Sequence, residues 1–275
     1  MTTLPPELIA NVVRAALAED IGAGDITTES AIPAEARAEA YIIAKEPCVV
    51  AGLPLVEAVF AGVRVKLLAA DGDVIEAGTR VCTLAGLARA ILTGERVALN
   101  FLQRLSGIAT LTRQFVDAIA GAKATILDTR KTTPTLRALE KYAVAMGGGQ
   151  NHRMGLYDAV MIKDNHRALI SRLGDAVAAA RQSHPHVPVI VEADSLSQVE
   201  EALAASANHI LLDNMTLDEL REAVALVAGR AKTEASGGIR LNTVRAIAET
   251  GVDYISVGAL THSARAVDFS LEVAP

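Results

Sequence analysis

The sequence predicts an α/β protein, an incomplete (open) β/α barrel with an N-terminal α+β sandwich domain. Three observations support this fold class. Turn signals recur at short intervals before residue 105, apolar runs alternate with amphipathic helical segments after residue 120, and the ends of these runs are evenly spaced. Continuous apolar strands with intervening helices are typical of a parallel sheet buried on both faces.

The N-terminal region, residues 1–105, has the pattern of a small α+β layer. Residues 7–19 predict an amphipathic helix, because their apolar side chains recur at helical spacing after a Pro-Pro start. Short β-type runs follow and are separated by turn residues, which favours antiparallel hairpins. These runs comprise residues 40–44, 48–50, 63–68 and 80–84. Residues 266–275 are expected to return to this domain.

The barrel is expected over residues 106–265. A long helical pattern over residues 94–120, interrupted near Ser106-Gly107, leads into it. The predicted strands cover residues 124–127, 159–162, 187–191, 209–212, 233–235 and 254–257. The residues that close the last four strands, 192, 213, 236 and 258, lie 21 to 23 residues apart. Such even spacing favours a β/α barrel over an open doubly wound sheet, and six or seven strands leave it short of eight.

Composition excludes several classes of protein. Of the 275 residues, 51% are apolar and 21% are charged, so the chain can build a packed core. A formal net charge of −6 argues against a nucleic-acid partner. Neither a signal peptide nor an apolar run of about 18 residues is evident, so we expect a cytoplasmic protein without a membrane partner. Cys48 and Cys82 lack metal-site or disulfide-framework spacing and are expected to be reduced and buried.

Polar or glycine residues follow every predicted barrel strand. In β/α barrels the chemistry lies at the carboxyl ends of the strands, because side chains within the strands fill the interior. The six endings are Asp128-Thr-Arg-Lys-Thr132, Lys163-Asp-Asn-His166, Glu192-Ala-Asp194, Asp213-Asn-Met215, Ser236-Gly-Gly238 and Gly258-Ala-Leu-Thr-His-Ser263. One polar ending is common in a solvated loop, whereas six in register indicate a shared site.

Five basic or titratable side chains are expected to converge at these strand ends. They are Arg130, Lys131, His152, Arg153 and Lys163. Arginine matches the geometry of carboxylates and phosphates, and lysine supplies a point charge. In an acidic chain, this set indicates a substrate with several negative charges. The alternative for Arg130 and Lys131 is pairing with a neighbouring acid such as Asp128.

Two glycine-containing loops and two acids complete the predicted site. Ser236-Gly-Gly238 and Val257-Gly-Ala259 expose backbone N–H groups after the last two strands, where barrels commonly bind phosphate. Glu192 and Asp213 follow successive strands and are suited to bind Mg²⁺ through hydroxyls or water, or to stabilise a developing cation. The alternative for these acids is a structural ion pair with Lys163.

These residues resemble the motifs of one known enzyme family, the nicotinate-nucleotide pyrophosphorylases (carboxylating), also called quinolinate phosphoribosyltransferases. The resemblance extends over nearly the whole chain and depends on several motifs together. They are Asp128-Thr-Arg-Lys-Thr-Thr-Pro134, Gly147-Gly-Gly-Gln-Asn-His-Arg153, and residues 19–28, 95–110, 163–166, 212–215, 234–238 and 258–263.

The resemblance implies a reaction and an assembly. The reaction is the transfer of phosphoribose from phosphoribosyl pyrophosphate to quinolinate, which releases CO₂ and pyrophosphate and gives nicotinate mononucleotide for NAD synthesis. Members of the family have an α/β sandwich on an open β/α barrel. They form homo-oligomers, either dimers or dimer-based hexamers, in which the N-terminal domain of one subunit completes its neighbour's site. By this resemblance, Arg96 would reach quinolinate across the subunit interface.

The resemblance also implies a role for each remaining residue. Those that would hold the carboxylates of quinolinate are Arg130, His152, Arg153 and Lys163. Thr129 and Lys131 would bind substrate as well, Lys131 near the pyrophosphate or phosphate. Glu192 and Asp213 would face the ribose hydroxyls and Mg²⁺, and with Lys163 they form the expected catalytic set. The loops Ser236–Gly238 and Val257–Ala259 would take the 5′-phosphate.

The sequence departs from the usual family pattern at three places and leaves two other functions open. Thr135 stands where Gly is common, Ala145-Met146 where Arg-Cys is frequent, and Ile190 where Glu often lies. None of these residues has an assigned role, but they affect the expected substrate preference. A Schiff-base aldolase or lyase would also place a lysine such as Lys163 at a strand end. A non-catalytic binding protein for a phosphorylated metabolite would use the same cationic site.

Overall fold

The computed structural model describes residues 3–274, and residues 1, 2 and 275 of the predicted N-terminal domain lie outside this range. The first elements are α1 (Pro6–Ile21), α2 (Ile26–Ala31), β1 (Arg37–Ala44), β2 (Cys48–Val49), α3 (Leu53–Val59), β3 (Arg64–Leu67), β4 (Val74–Ile75), β5 (Arg80–Leu87) and α4 (Ala88–Ala118). The others are β6 (Thr125–Leu127), α5 (Arg137–Met146), β7 (Val160–Ile162), α6 (Asp164–Arg167), α7 (Leu173–Ser183), β8 (Val189–Ala193), α8 (Leu196–Ala204), β9 (His209–Asp213), α9 (Leu217–Val227), β10 (Lys232–Ser236), α10 (Val244–Ala248), β11 (Tyr254–Ser256), α11 (Ala259–His262) and β12 (Phe269–Val273).

The chain divides into two compact units. The first extends through Arg113 and includes Ala138–Gly148 and the chain from Ala264 onward, whereas the second comprises Gln114–Arg137 and Gly149–Ser263. The sequence-based boundary between residues 105 and 106 falls inside α4, and the sequence assigns α5 to the barrel. In the structure, most of α5 belongs to the first unit, where the Tyr142 hydroxyl donates to Asp71 at 2.7 Å.

The first unit contains the antiparallel sheet expected from the closely spaced turns. Its strand order is β12-β1-β5-β3, and a second, two-stranded sheet joins β2 to β4. The C-terminal strand β12 pairs with β1 over Ala40–Ala44. The alternating burial along β5 shows that one face of this sheet packs inward while the other faces solvent.

The helix α4 is continuous, so the predicted interruption at Ser106-Gly107 is wrong. Ser106 is fully buried, and its hydroxyl accepts the backbone N–H of Ala51 at 3.0 Å. Gly107 is required there for close packing, because a Cβ atom would lie 1.9 Å from the carbonyl oxygen of Arg265. Both residues therefore serve tertiary contacts that the local helical pattern does not show.

The second unit is built on a six-stranded parallel sheet with the order β6-β11-β10-β9-β8-β7. Strands that follow one another in sequence are neighbours from β7 to β11, as βαβ units require. The edges of the sheet are β6 and β7, which would be adjacent in a closed barrel. Strand β8 is buried throughout, as expected for a sheet covered on both faces. The predicted α/β class, with an open barrel and an N-terminal sandwich, is confirmed.

The two cysteines, Cys48 and Cys82, are free and buried, as the sequence predicts. Burial raises the pKa of each thiol to about 11. These thiols are therefore protonated at neutral pH and unreactive. Within residues 3–274, none of the helices is long and apolar enough to span a lipid bilayer.

The tight contact at Gly107 gives a test of the packing in the first unit. We expect Gly107→Ala to lower the free energy of unfolding by about 3 kcal/mol, since the added methyl overlaps a backbone carbonyl. Urea denaturation monitored by circular dichroism measures this change. The control is Gly174→Ala in α7, where a Cβ meets nothing within 4 Å. It should raise stability by about 0.5 kcal/mol, and equal effects of the two substitutions would contradict the packing described.

Candidate active site

A cavity of about 900 Å³ opens at the carboxyl ends of the barrel strands in the second unit. It brings together most of the residues that the sequence assigns to a site. Those that line it are Thr129, Arg130, Lys131, His152, Arg153, Lys163, Glu192, Asp213, Ser236, Gly237, Gly238, Gly258 and Ala259. The convergence expected from the strand endings is therefore observed, because the strands are parallel and end at the same edge.

Two predicted residues are not among those that line the cavity. Arg96 is exposed on α4, in the first unit. Val257 is buried, and its backbone N–H donates to the carbonyl of Leu127 at 2.9 Å. Its amide therefore extends the pairing of β11 with β6 and fixes the backbone next to Gly258.

The ammonium group of Lys163 pairs with Glu192 across the cavity wall. The distance from Nζ to Oε2 is 2.7 Å, and Glu192 is 9% exposed whereas the Lys163 side chain is 43% exposed. The alternative interpretation of Glu192, an ion pair with Lys163, is thus observed. Asp213 makes a different contact, because its Oδ2 accepts a hydrogen bond from the Asn214 side-chain amide at 2.7 Å.

Asp128 fixes the segment that carries His152 and Arg153. Its side chain is fully buried, and Oδ1 accepts the backbone N–H of His152 at 2.8 Å while Oδ2 accepts the side-chain amide of Asn151 at 2.7 Å. Asp128 follows β6 directly, so these bonds tie the end of that strand to residues 151–153. The buried carboxylate is stabilised by these donors.

Two arginines are held close together in the cavity. Burial lowers the pKa of Arg153, and the positive charge of Arg130 lowers it further, although Asp158 acts in the opposite direction. The guanidinium of Arg153 also donates to the carbonyl of Ala159 at 3.0 Å. Like charges in one partly buried site repel, so an anion bound between them would relieve the repulsion. This arrangement is suited to a substrate with more than one carboxylate or phosphate.

The glycine loops approach neighbouring groups closely. Gly237 has a φ of 97°, and a Cβ atom there would lie 2.1 Å from Oδ1 of Asn214. At Gly258, a Cβ would lie 3.1 Å from Nε2 of His262 and 3.2 Å from Cδ of Lys131. The backbone of Gly258 therefore lies close to the imidazole of His262 and the side chain of Lys131. This arrangement is suited to the binding of a phosphate group.

Several residues that line the cavity were not assigned a role from the sequence. They are Met161, Asp164, Leu211, Asn214, Glu234, Ile239, Arg240, Ser256, His262 and Ser263. Glu234 could have been found, because it lies two residues before Ser236 and side chains two apart share one face of a strand. His262 lies in the ending Gly258–Ser263 that the sequence singles out. Asn214 follows Asp213 and adopts a left-handed φ of 55° that gives no sequence signal beyond the residue type.

The acids of the cavity fit magnesium only in combination with a substrate. Within residues 3–274, no group of three or more His, Cys, Asp and Glu side chains is arranged to hold a metal. Glu192 and Asp213 offer the hard oxygen ligands that Mg²⁺ prefers, and Mg²⁺ usually binds one or two carboxylates together with substrate phosphates. The donor set therefore fits a magnesium ion that enters with a phosphorylated substrate.

The fold and the site together define a class of protein. A β/α barrel with clustered cations, glycine-containing loops and two acids at its strand ends is typical of an enzyme that acts on phosphorylated, polyanionic substrates. The family is also shown directly. The chain belongs to the quinolinate phosphoribosyltransferase family, since models of its N-terminal domain match residues 25–106 and models of its C-terminal domain match residues 108–272.

Individual relatives agree with this assignment. The chain is 47% identical over 260 residues to a probable nicotinate-nucleotide pyrophosphorylase (carboxylating) of Bacillus subtilis, covering 93% of this chain and 90% of that protein. It is 43% identical over 289 residues to a quinolinate phosphoribosyltransferase (decarboxylating) 1b of Nicotiana tabacum, covering 96% and 82%. The solved nicotinate-nucleotide pyrophosphorylase from Francisella tularensis superposes with a TM-score of 0.96 at 39% identity, covering 99% of this chain and 98% of that one.

The structure accounts for two of the three departures from the family pattern. Thr135 has a φ of 69°, in the left-handed region that favours glycine, which explains why glycine is common there. Ile190 is buried and packs with Ala159 and Leu211 in an apolar cluster of the barrel interior. Nothing in the structure explains Ala145-Met146, which end α5.

The role of Asp128 can be tested without a substrate. We expect Asp128→Asn to lower the free energy of unfolding by about 2 kcal/mol. One of the two carboxylate oxygens, both of which accept a hydrogen bond, is replaced by an NH₂ group that faces another donor. Equilibrium unfolding in urea provides the measurement. The matched control is Asp194→Asn at an exposed strand end, which should change stability by less than about 0.5 kcal/mol. If both variants were equally stable, Asp128 would not be the anchor of residues 151–153.

Proposed function

We propose that this chain transfers phosphoribose from phosphoribosyl pyrophosphate to the ring nitrogen of quinolinate. The products are nicotinate mononucleotide, pyrophosphate and CO₂, as in NAD synthesis. The observation that carries this proposal is the single cavity in which Arg130 and Arg153 lie beside the Lys163–Glu192 pair and Asp213. The relatives that cover nearly the whole chain bear the names of the same reaction.

The cationic side of the cavity is suited to the two carboxylates of quinolinate. Arg130 and Arg153 present planar guanidinium groups, which bind carboxylates through paired hydrogen bonds. Lys163 adds a point charge from the next strand end. In this structure both ring nitrogens of His152 have protein partners, the Arg153 amide and Glu234. We therefore infer that His152 supports the carboxylate site through the Arg153 amide as well as by its own place in the cavity lining.

The acidic side is suited to the ribose. Cleavage of the bond between ribose and pyrophosphate builds positive charge on the sugar, and carboxylates that face it stabilise that charge. Asp213 and Glu192 are the acids in place, and Lys163 bridges them to the pyridine side through its pair with Glu192. The attacking atom is the nitrogen of quinolinate, so the protein supplies position and charge and needs no covalent nucleophile.

Loss of CO₂ follows from the same arrangement. Once the ribosyl group is attached, the ring nitrogen is cationic and stabilises the electron pair that remains at C2 when CO₂ departs, until a proton from solvent takes up that pair. The arginines that held the carboxylate are then free of it, and C2 takes up a proton. The 5′-phosphate is proposed to bind the glycine loops, where Lys131 and His262 meet the backbone of Gly258.

Magnesium is proposed as the cofactor. Asp213 and Glu192 would hold it together with the hydroxyls and phosphates of phosphoribosyl pyrophosphate. When bound, the ion supplies positive charge that stabilises the leaving pyrophosphate.

Two other functions make different use of the cavity. A Schiff-base enzyme needs a neutral lysine that is free to attack a carbonyl, whereas Lys163 is engaged by Glu192 at 2.7 Å. A non-catalytic binding protein would have no need for acids beside the cations. Neither alternative accounts for both the basic residues and the acids that line the cavity.

Turnover of the purified chain decides among these functions. With quinolinate, phosphoribosyl pyrophosphate and Mg²⁺, we expect CO₂ and pyrophosphate to be released in equal amounts, because one of each leaves per nicotinate mononucleotide formed. Removing Mg²⁺ with a chelator should abolish turnover, and excess Mg²⁺ should restore it. Saturable binding without product would establish a binding protein. Covalent labelling of Lys163 by borohydride with a carbonyl substrate would instead establish a Schiff-base enzyme.

We also propose a homo-oligomer, a dimer or a dimer-based hexamer, in which Arg96 completes the site of a neighbouring subunit. The support is that Arg96 is exposed on α4 in the first unit and is not among the residues that line the cavity of its own chain. A basic side chain contributed by a second copy would add to the cations that face quinolinate.

Subunit exchange tests this sharing. Arg96→Ala and Lys163→Ala should each be inactive, but their equal mixture should regain about a quarter of wild-type activity, since random pairing leaves one intact site in each mixed dimer. Each variant mixed with itself is the control, and native mass spectrometry with one variant labelled with ¹⁵N shows whether subunits have exchanged. Exchange without any recovered activity would contradict the shared site.

A further inference from the structure

A buried carboxylate lies inside the barrel, where side chains are usually apolar. Glu234 occupies the middle of β10 and is fully buried. Its Oε2 lies 3.2 Å from Nε2 of His152 and 2.9 Å from Nε2 of His209. The ring of His209 packs against that of Tyr254, with centroids 5.4 Å apart. A polar column therefore extends from the cavity toward the amino ends of the strands.

The two histidines make this buried charge tolerable. Burial by itself would raise the pKa of Glu234, but the hydrogen bond from His152 and the close approach of His209 lower it to about 2. The carboxylate is therefore ionised at neutral pH. A buried charge is stable only when it is paired, so loss of either partner would be costly.

The His152 ring is held in one orientation. Its Nδ1 accepts the backbone N–H of Arg153 at 2.7 Å, so this nitrogen carries no hydrogen in that bond. The hydrogen must then lie on Nε2, which points at Glu234. In the opposite tautomer, an Nδ1–H would face the Arg153 amide and an unprotonated Nε2 would face a carboxylate. Glu234 thus selects the tautomer that keeps the Arg153 amide bonded.

The segment that carries Arg153 is consequently anchored by two buried acids. Asp128 accepts the backbone N–H of His152, and Glu234 accepts the N–H of the His152 ring. These contacts leave little freedom to the backbone at Arg153, whose guanidinium lines the cavity and donates to the carbonyl of Ala159. Such support is what keeps a charged side chain aimed at its ligand.

We propose that Glu234 is a positioning residue for dicarboxylate binding, which acts by fixing the His152 ring and, through the Arg153 amide, the placement of Arg153. His209, at the start of β9, is the second partner of the Glu234 carboxylate. The kinetic consequence of this inference rests on the proposed function, whereas its structural consequence does not.

The structural consequence is measured by NMR. Long-range ¹H–¹⁵N spectra of the six histidines report which ring nitrogen carries the hydrogen. We expect His152 in the Nε2–H form in the wild type and loss of this single form in Glu234→Gln, because the amide presents a donor as well as an acceptor. A His152→Asn variant identifies the signal. The matched control, Glu200→Gln on the exposed side of α8, should leave the spectrum unchanged.

The kinetic consequence separates positioning from a general loss of structure. In Glu234→Gln the KM for quinolinate should rise about tenfold, the effect of one charged hydrogen bond, while the KM for phosphoribosyl pyrophosphate changes less than about twofold. Glu200→Gln should match the wild type in both. If Glu234→Gln does not fold, Glu234→Asp replaces it, because this change withdraws the carboxylate by one methylene. We expect the same loss of the single His152 form and the same rise in the KM for quinolinate.

Two results would overturn the inference. One is a His152 that keeps the Nε2–H form without the Glu234 carboxylate. The other is an equal rise in both KM values, which would indicate general damage to the cavity. A wild-type protein that does not turn over quinolinate would refute the proposed function, and the NMR comparison would still decide whether Glu234 sets the His152 ring.

Discussion

Arg130 and Arg153 bring two like charges into one cavity, where the charge of Arg130 adds to the effect of burial in lowering the pKa of Arg153. Two buried carboxylates anchor the segment of Arg153 through His152, one at the end of β6 and one within β10. Repulsion between like charges is relieved when an anion binds, so the folded chain favours anion binding in this cavity.

The acids of the same cavity have polar partners of their own. Glu192 is paired with Lys163, and Asp213 is oriented by Asn214. The cavity thus contains basic groups suited to carboxylates and acids suited to a sugar that becomes cationic. A transferase that joins two anionic substrates needs both kinds of group within one site, which explains why the basic groups gather here in a chain of net charge −6.

Supporting residues in this protein lie in places where packing alone would favour apolar side chains. Glu234 stands in the barrel interior, yet it is stabilised by two imidazoles, whereas Ile190 on a nearby strand joins an apolar cluster. Ser106 and Gly107 interrupt the helical pattern of the sequence but not the helix itself, because these residues are required by tertiary contacts. In each case the local chemistry is explained by a neighbour that is distant in sequence.

The sequence by itself determined the α/β class, the barrel strands and the edge at which chemistry occurs, because strand and helix periodicity is local and the alternation of strands with helices implies parallel strands. It also placed Arg130, Lys163 and Glu192 at that edge. Only the tertiary structure decided which charges pair, that α4 is continuous, that α5 packs in the first unit and that Glu234 reaches two histidines. Those outcomes depend on distances between residues far apart in the chain, which no local pattern contains.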